Sequence, residues 1–277
     1  MRRHGVLPTI PRMRYRSTIL AAVLLTILDT ASGTAQSAAP TRSVFQETAF
    51  IGRSIGAGFT APLAWSTGDW LRVGSGIVAL ATLSLTDGAV RDASRRNQSS
   101  FGDDVARNVK PFGRMGSAIV VGGFLAGGIV LDDSRARAVA IDAVAATLLT
   151  SALIIPALQH SIGRSRPWRD EGTHAFAPFG GGRSFPSGHA GQAFTVATVI
   201  AQHYDAAWVD AVAYGGAGLV AASRVYHDAH HFSDVVASAL IATVVGRAVV
   251  HMGAAERSAA SVRPAVDGRT VGFTVTF

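Results

Sequence analysis

From Ala138 to Leu158 the chain is almost entirely Ala, Val, Leu and Ile, interrupted by Asp142, Pro156 and a few hydroxyl side chains. A helix of that length rises about 30 Å, the thickness of a bilayer's hydrocarbon core. Whatever fold the chain adopts must therefore bury or immerse one long apolar helix. Val235–Val250 is a second candidate of the same kind. Met115–Leu131 and Trp70–Leu85 fall short of the roughly 20 residues that a span takes.

Composition points the same way. Only 16% of residues are charged and mean hydropathy is +0.30, against about 25% charged in an ordinary soluble domain. The apolar content is mostly small and aliphatic, which suits close helix packing. Helices are predicted over Val44–Leu63, Trp70–Leu85, Met115–Leu131, Arg135–Gln159, Gly188–Tyr204, Ala207–Tyr226 and Phe232–Met252. Two long loops separate them: Thr86–Arg114, which carries a short amphipathic helix over Phe101–Lys110, and Gly163–Ser187, rich in Gly, Pro and Arg. Near the end, Ser261–Val266 and Arg269–Phe277 flank Asp267-Gly268, a favoured two-residue hairpin turn. One hairpin cannot close a barrel, although the final Phe resembles the end of an outer-membrane barrel strand. The expectation is an all-α, membrane-spanning bundle of about six core helices with a small C-terminal β-hairpin.

The first residues form a different unit. Arg2, Arg3, Arg12, Arg14 and Arg16 precede an apolar core over Ile19–Leu28, and Gly33-Thr34-Ala35 offers small residues for cleavage. This is the pattern of an export signal, or of an uncleaved anchor. The expected organisation is a signal over 1–35, a lead-in over 36–69, the helical bundle over 70–252 and a tail over 253–277. If the signal is cleaved, counting crossings places the loops 86–114 and 163–187 outside the inner membrane, facing the periplasm. The outer loops then hold more Arg and Lys than the inner ones, against the positive-inside rule. A soluble or peripheral periplasmic bundle stands as the alternative.

The formal net charge of +7 suggests an anionic partner. No aromatic-plus-basic groove pattern points to nucleic acid. The absence of cysteine excludes disulfides, thiolate metal sites and a Cys nucleophile. Several arginines instead lie beside His, Ser and Gly in three short segments: Gln159-His160-Ser161-Ile162-Gly163-Arg164-Ser165-Arg166-Pro167, then Ser184-Phe185-Pro186-Ser187-Gly188-His189, then Ser223-Arg224 through His230-His231-Phe232-Ser233-Asp234. In an antiparallel bundle the helix ending at 159, the one starting near 188 and the pair meeting at 226–232 share one end, so the segments converge. Arg166 and Arg224 present forks of donors suited to phosphate oxygens. Ser187 and Gly188 open a helix, whose free N–H groups favour an anion. His189 and His230 can supply a proton donor and a nucleophile, and Asp234 follows His230 by about one helical turn.

These segments resemble the signature of the type-2 phosphatidic acid phosphatase family, which shares its fold with vanadium haloperoxidases. That pattern reads Lys-x6-Arg-Pro, Pro-Ser-Gly-His and Ser-Arg-x5-His-x3-Asp; Arg166-Pro167, Pro186 to His189, and Ser223, Arg224, His230 and Asp234 fill it over roughly residues 70–252. The resemblance implies that His230 attacks phosphorus, His189 protonates the leaving oxygen and Asp234 orients His230. It implies that Arg166, Arg224, Ser187 and Gly188 bind the phosphoryl group, with no metal or other cofactor. The substrate class is a phosphorylated lipid, an isoprenoid phosphate or a small phosphate ester. One position departs: Gln159 stands where the family has lysine. Its amide can donate to a phosphate oxygen but brings no charge, and Arg164 or Arg183 are the candidates to compensate.

Two other functions fit the same residues: a vanadate-dependent haloperoxidase using the same anion cradle, and a non-catalytic anion-binding membrane protein, the latter motivated by Gln159. His231 lacks the spacing of His230 and reads as a supporting residue. His227-Asp228 reads as a solvated loop pair, since a zinc site wants three or four converging ligands. Gly180-Gly181-Gly182 reads as a connector, and Asp142 as a polar contact inside the bundle.

Overall fold

The structure is a computed structural model that describes residues 44–260, 262–267 and 270–275, with side chains over 46–258. The predicted export signal, 1–35, lies outside the described residues. From Val44 onward the chain is helical: α1 Val44–Thr60, α2 Thr67–Ser84, α3 Asp87–Arg96, α4 Ser100–Val109, α5 Met115–Val130, α6 Ser134–Ile162, α7 Gly188–His203, α8 Ala207–Tyr226 and α9 Phe232–Ala260.

Local chemistry sets most of the boundaries. Ser66 and Asp69 form a reciprocal capping box that starts α2. The Asp133 side chain accepts from the Arg135 and Ala136 amides and starts α6. Pro156 has no N–H to donate and crowds the preceding turn. The long helix α6 passes it through a wider π-helical stretch, Leu148–Ile154, and continues to Ile162.

α7 is the central helix. It packs on α6, α8 and α9, and Ala190, Ala193, Ala197, Val199 and Ile200 are buried along it. At the end remote from Gly188, Asp142 of α6 accepts from His203 of α7 at 2.9 Å and from both terminal nitrogens of Arg257 of α9 at 3.0 Å. The polar contact expected at Asp142 is thus a three-helix ion cluster that closes the far end of the bundle.

Two helices, Ser134–Ile162 and Phe232–Ser258, are long and apolar enough to cross a membrane. Two bent pairs reach that standard together: Thr67–Ser84 with Asp87–Arg96, bent by 46°, and Ser100–Gly113 with Met115–Val130, bent by 54°. The segments that are too short alone are therefore halves of longer bent units. Leu71, Ile77 and Val78 of α2 and Ile119, Ile129 and Val130 of α5 are exposed, as helices facing lipid would be.

Two expectations change. Thr86–Arg114 is not a loop with one short helix. It folds into α3, α4 and a 3₁₀ turn, Lys110–Gly113, because its polar residues find partners elsewhere in the chain. The C-terminal hairpin is not supported as an element of the fold. Val262–Asp267 and Thr270–Val275 run antiparallel, but the turn residues 268 and 269 lie outside the described residues.

Candidate active site

The three sequence segments meet at the end of the bundle where α6 stops, α7 starts and α8 gives way to α9. Gly163 ends α6 in the left-handed conformation, φ 61°, and a Cβ there would fall 1.8 Å from the Ala177 carbonyl oxygen. Only glycine makes that turn. The loop after it folds back on itself through backbone bonds: Ser165 N–H to Ala175 at 2.9 Å, Ala177 N–H to Gly163 at 3.0 Å, and Ser184 N–H to Arg164 at 3.0 Å. The 163–187 loop is an ordered platform.

Ser187 caps α7, its hydroxyl accepting from the Ala190 amide, and its own N–H donates to the Asp234 carbonyl at 3.2 Å. Gly188 is the first helical residue. At the end of α8, the Arg224 carbonyl accepts from the Ala229 and His230 amides at 2.9 and 3.3 Å, which curls the chain and brings His230 under the platform. His230 is buried, and its Nδ1 donates to the Ser184 carbonyl at 2.7 Å. A carbonyl can only accept, so the proton sits on Nδ1 and Nε2 keeps a free lone pair.

The expected direct bond from Asp234 to the His230 ring is not made. Asp234 lies 3.7 Å from Nδ1, beyond hydrogen-bond reach. Its Oδ2 instead accepts from the Ser184 hydroxyl at 2.6 Å and the His231 amide at 2.8 Å, and its Oδ1 accepts from Arg164 at 2.7 Å. Asp234 therefore holds the residue that holds His230.

Arg166 and Arg224 have no carboxylate partner among the described residues. Arg224 makes only local contacts with Ser223. Burial, with the charge of Arg166, pulls its pKa down, and burial likewise lowers that of Arg166. Two partly desolvated cations thus lie within each other's field, with the Asp234 charge also felt at Arg166, an arrangement that favours an anion. His189, on the first turn of α7, faces the same field. Burial, then Arg224 and Arg114, push its pKa down to about 4. The turn Lys110–Gly113 packs against it, since a Cβ on Gly113 would fall 2.8 Å from the His189 Cβ. Lys110 and Arg114 thereby add positive charge to the site from outside the three segments.

Two compensation ideas are corrected. Arg164 is no anion ligand: it is 1% exposed and its terminal nitrogens are taken by Asp87 and Asp234, each at 2.7 Å. Gln159 does not stand free toward an anion. Its amide donates to the Pro186 carbonyl at 2.8 Å and so braces the turn before Ser187. Arg183 is exposed and close enough for its charge to weigh on Arg166. His231 is buried, and burial followed by the Arg164 charge lowers its pKa, which keeps it neutral. His227 is exposed as expected, but Asp228 is no solvated loop residue: Arg91 of α3 binds both of its oxygens, at 2.8 and 2.9 Å.

Comparison with known proteins matches this arrangement to one family model, described as PAP2 superfamily, over residues 140–258. That stretch belongs to the PAP2 superfamily. It contains all three segments, from Gln159 to Asp234, and the helices that position them. No curated protein matches the chain, and no solved structure does. The match suggests a phosphatase-type activity and a phosphate ester as substrate. Asp87, Lys110 and Arg114, which the fold brings to this site, lie outside the matched residues.

Beside the site, α4, α8 and α9 line an open apolar cavity of about 630 Å³. Phe101 and Val105 line it from α4, Leu219 from α8 and Val235 from α9, and Ser223, the neighbour of Arg224, sits at its edge.

Proposed function

We propose that the chain hydrolyses a phosphate ester through a phosphohistidine on His230. The observation that carries this reading is the His230–Ser184 hydrogen bond, which leaves the Nε2 lone pair as the reactive end of a buried imidazole. Arg166, Arg224, the Ser187 hydroxyl and the Gly188 N–H bind the phosphoryl oxygens and stabilise charge as the transition state forms. Nε2 bonds to phosphorus as the ester P–O bond breaks, and His189 gives its proton to the leaving oxygen. Water then attacks the phosphohistidine, returning a proton to His189 and releasing phosphate. Without an anion His189 is held neutral by burial and then by its positive neighbours. A bound dianion offsets them and lets it take up the proton that it later donates.

The substrate is a phosphate ester with a hydrocarbon portion. The apolar cavity abutting Ser223 has the size of a ligand pocket, and the outer faces of α2 and α5 suit a lipid surface. The protein is exported and sits in the inner membrane with the site on the periplasmic side. The excess of outer Arg residues is softened by folding: Arg91 and Arg95 pair with Asp228, and Arg164 with Asp87 and Asp234.

The test is phosphate release by the purified full chain from a phosphorylated lipid and from a soluble aryl phosphate. A quench with labelled substrate should trap acid-labile, base-stable label on the wild type and none on folded His230→Ala. Turnover by His230→Ala near wild type would overturn the assignment. Peroxide-dependent halogenation with added vanadate, in place of phosphate release, would make the site a haloperoxidase.

A further inference from the structure

Asp87 stands at the start of α3, outside the residues matched to the family, and is 1% exposed. Nothing in the proposed chemistry uses it, yet it is bound on every side by groups of the site. Its Oδ2 accepts from Arg164 Nη2 at 2.7 Å and from the Ser233 hydroxyl at 2.6 Å. Its Oδ1 accepts from the Ser233 amide at 2.8 Å, and so caps the first turn of α9 from a distant part of the chain. Arg164 spans the gap: Nη1 donates to Asp234 Oδ1 at 2.7 Å and to the Ser233 hydroxyl at 2.8 Å, and Nε donates to the Thr173 carbonyl at 3.1 Å.

We propose that Asp87 is a positioning residue for the nucleophile: it anchors Arg164, which fixes the Asp234 carboxylate and, through Ser184, the carbonyl that orients His230. The proposal rests on the reading of His230 as nucleophile.

The physical case is one of competing forks. A guanidinium prefers to close both terminal N–H groups on one carboxylate. Here it is held open between two, one nitrogen to each. Without the charge on Asp87, Nη2 keeps only the neutral Thr173 carbonyl as acceptor, and the Asp234 carboxylate can draw both terminal nitrogens toward itself. Asp234 would then rotate away from the Ser184 hydroxyl, and the Ser184 carbonyl would lose the tie that keeps it over Nδ1. Asp87 also adds a second carboxylate to a cluster with one buried guanidinium, so the cluster carries a net negative charge beside the ring that becomes cationic on phosphorylation. Both effects reach the reaction only through Asp234 and His230. Neither touches Arg166 or Arg224.

The experiment compares Asp87→Asn with Asp142→Asn in the full-length chain, the latter breaking a buried ion cluster at the opposite end of the bundle. For Asp87→Asn we expect kcat to fall about tenfold or more while inhibition by inorganic phosphate stays within about twofold. Asp142→Asn should lower thermal stability and leave kcat near wild type. A second readout does not need turnover: with histidine labelled by ¹⁵N, the Nδ1–H signal of His230 should shift or vanish in Asp87→Asn and persist in Asp142→Asn. If the wild type releases no phosphate, the phosphatase reading fails and this signal still decides the positioning role. If Asp87→Asn does not fold, Ser233→Ala removes one donor to Asp87 without changing charge, and should lower kcat about threefold or more with phosphate inhibition kept. The proposal is overturned by a folded Asp87→Asn, or in its place Ser233→Ala, with wild-type kcat and an unmoved His230 signal. It is equally overturned if Asp142→Asn depresses kcat and the signal as much.

Discussion

His230 donates its Nδ1 hydrogen to the backbone carbonyl of Ser184 at 2.7 Å, so a main-chain group sets its tautomer. The carboxylate four residues on acts one bond further away, by holding the Ser184 hydroxyl at 2.6 Å. A side chain can be removed by mutation, but a carbonyl cannot. Ser184→Ala should therefore keep the His230 hydrogen bond and lower kcat only about threefold to tenfold. Asp234→Asn removes the charge that Arg164, Ser184 and the His231 amide all address, and should lower kcat by about 10² or more. Steady-state kinetics of the two folded variants check this order. Equal losses, or a larger loss in Ser184→Ala, would mean that the hydroxyl itself takes part.

Arg166 and Arg224 pair with no carboxylate among the described residues in a partly desolvated site, and the Arg166 charge raises the cost of holding Arg224 charged. Such a site trades stability for binding. Arg224→Gln should raise the melting temperature of the ligand-free protein, or at least not lower it, while weakening phosphate inhibition by about tenfold to a hundredfold. Melting curves with and without phosphate measure both effects. A large loss of stability without ligand would show that Arg224 serves the fold more than the anion.

His189 titrates at about 4 without an anion, against the ordinary 6.5. Burial and then the Arg224 and Arg114 charges are the causes, and a bound dianion opposes the charges. The free site is neutral at His189 around pH 6, and the occupied site binds a proton more readily. Anion binding must then take up a proton, and affinity must rise as pH falls from about 7 toward 5. Sulfate is the suitable probe because it stays dianionic throughout. Calorimetry in buffers of different ionisation enthalpy should report proton uptake in the wild type and much less in His189→Ala. Sulfate affinity that is flat across this range would remove His189 from the site.

Much of this is legible in the sequence, and the gaps have physical causes. α8 runs from Ala207 to Tyr226, the bounds that its apolar pattern implies. Periodicity is a strong signal when one face meets the core. α3 is hidden because Arg91, Arg95 and Asp92 dominate its composition, and the groups that bury its polar side, Asp170 and Asp228, come from far along the chain. The two arginines of Gly163-Arg164-Ser165-Arg166 look interchangeable in sequence. They sit two apart in a loop that bends, and one faces a buried carboxylate pair while the other faces a second cation. Only the partners tell them apart, and Asp87, the decisive one, carries no motif.

Gln159 offers the last test. Its amide spends a hydrogen on the Pro186 carbonyl and lies 4.0 Å from where a Cβ on Gly188 would stand. It is therefore beside the start of α7 without being committed to an anion. A lysine at 159 has three donors, so it can keep the Pro186 bond and still place a positive charge near the helix N-terminus. Without an anion that charge adds to those of Arg166, Arg224, Lys110 and Arg114, and the helix end repels it as well. Gln159→Lys should therefore melt at a lower temperature than wild type without ligand. With a dianion bound the sign reverses. Two unit charges about 4 Å apart gain about 1 kcal/mol even in bulk water, and more where water is excluded. Phosphate inhibition should tighten about fivefold or more, and added phosphate should restore the lost melting temperature. Any change in kcat depends on the difference between ground and transition states, and a charge that favours both equally leaves it unchanged. Phosphate inhibition unchanged in a folded Gln159→Lys would show that residue 159 serves only to brace Pro186.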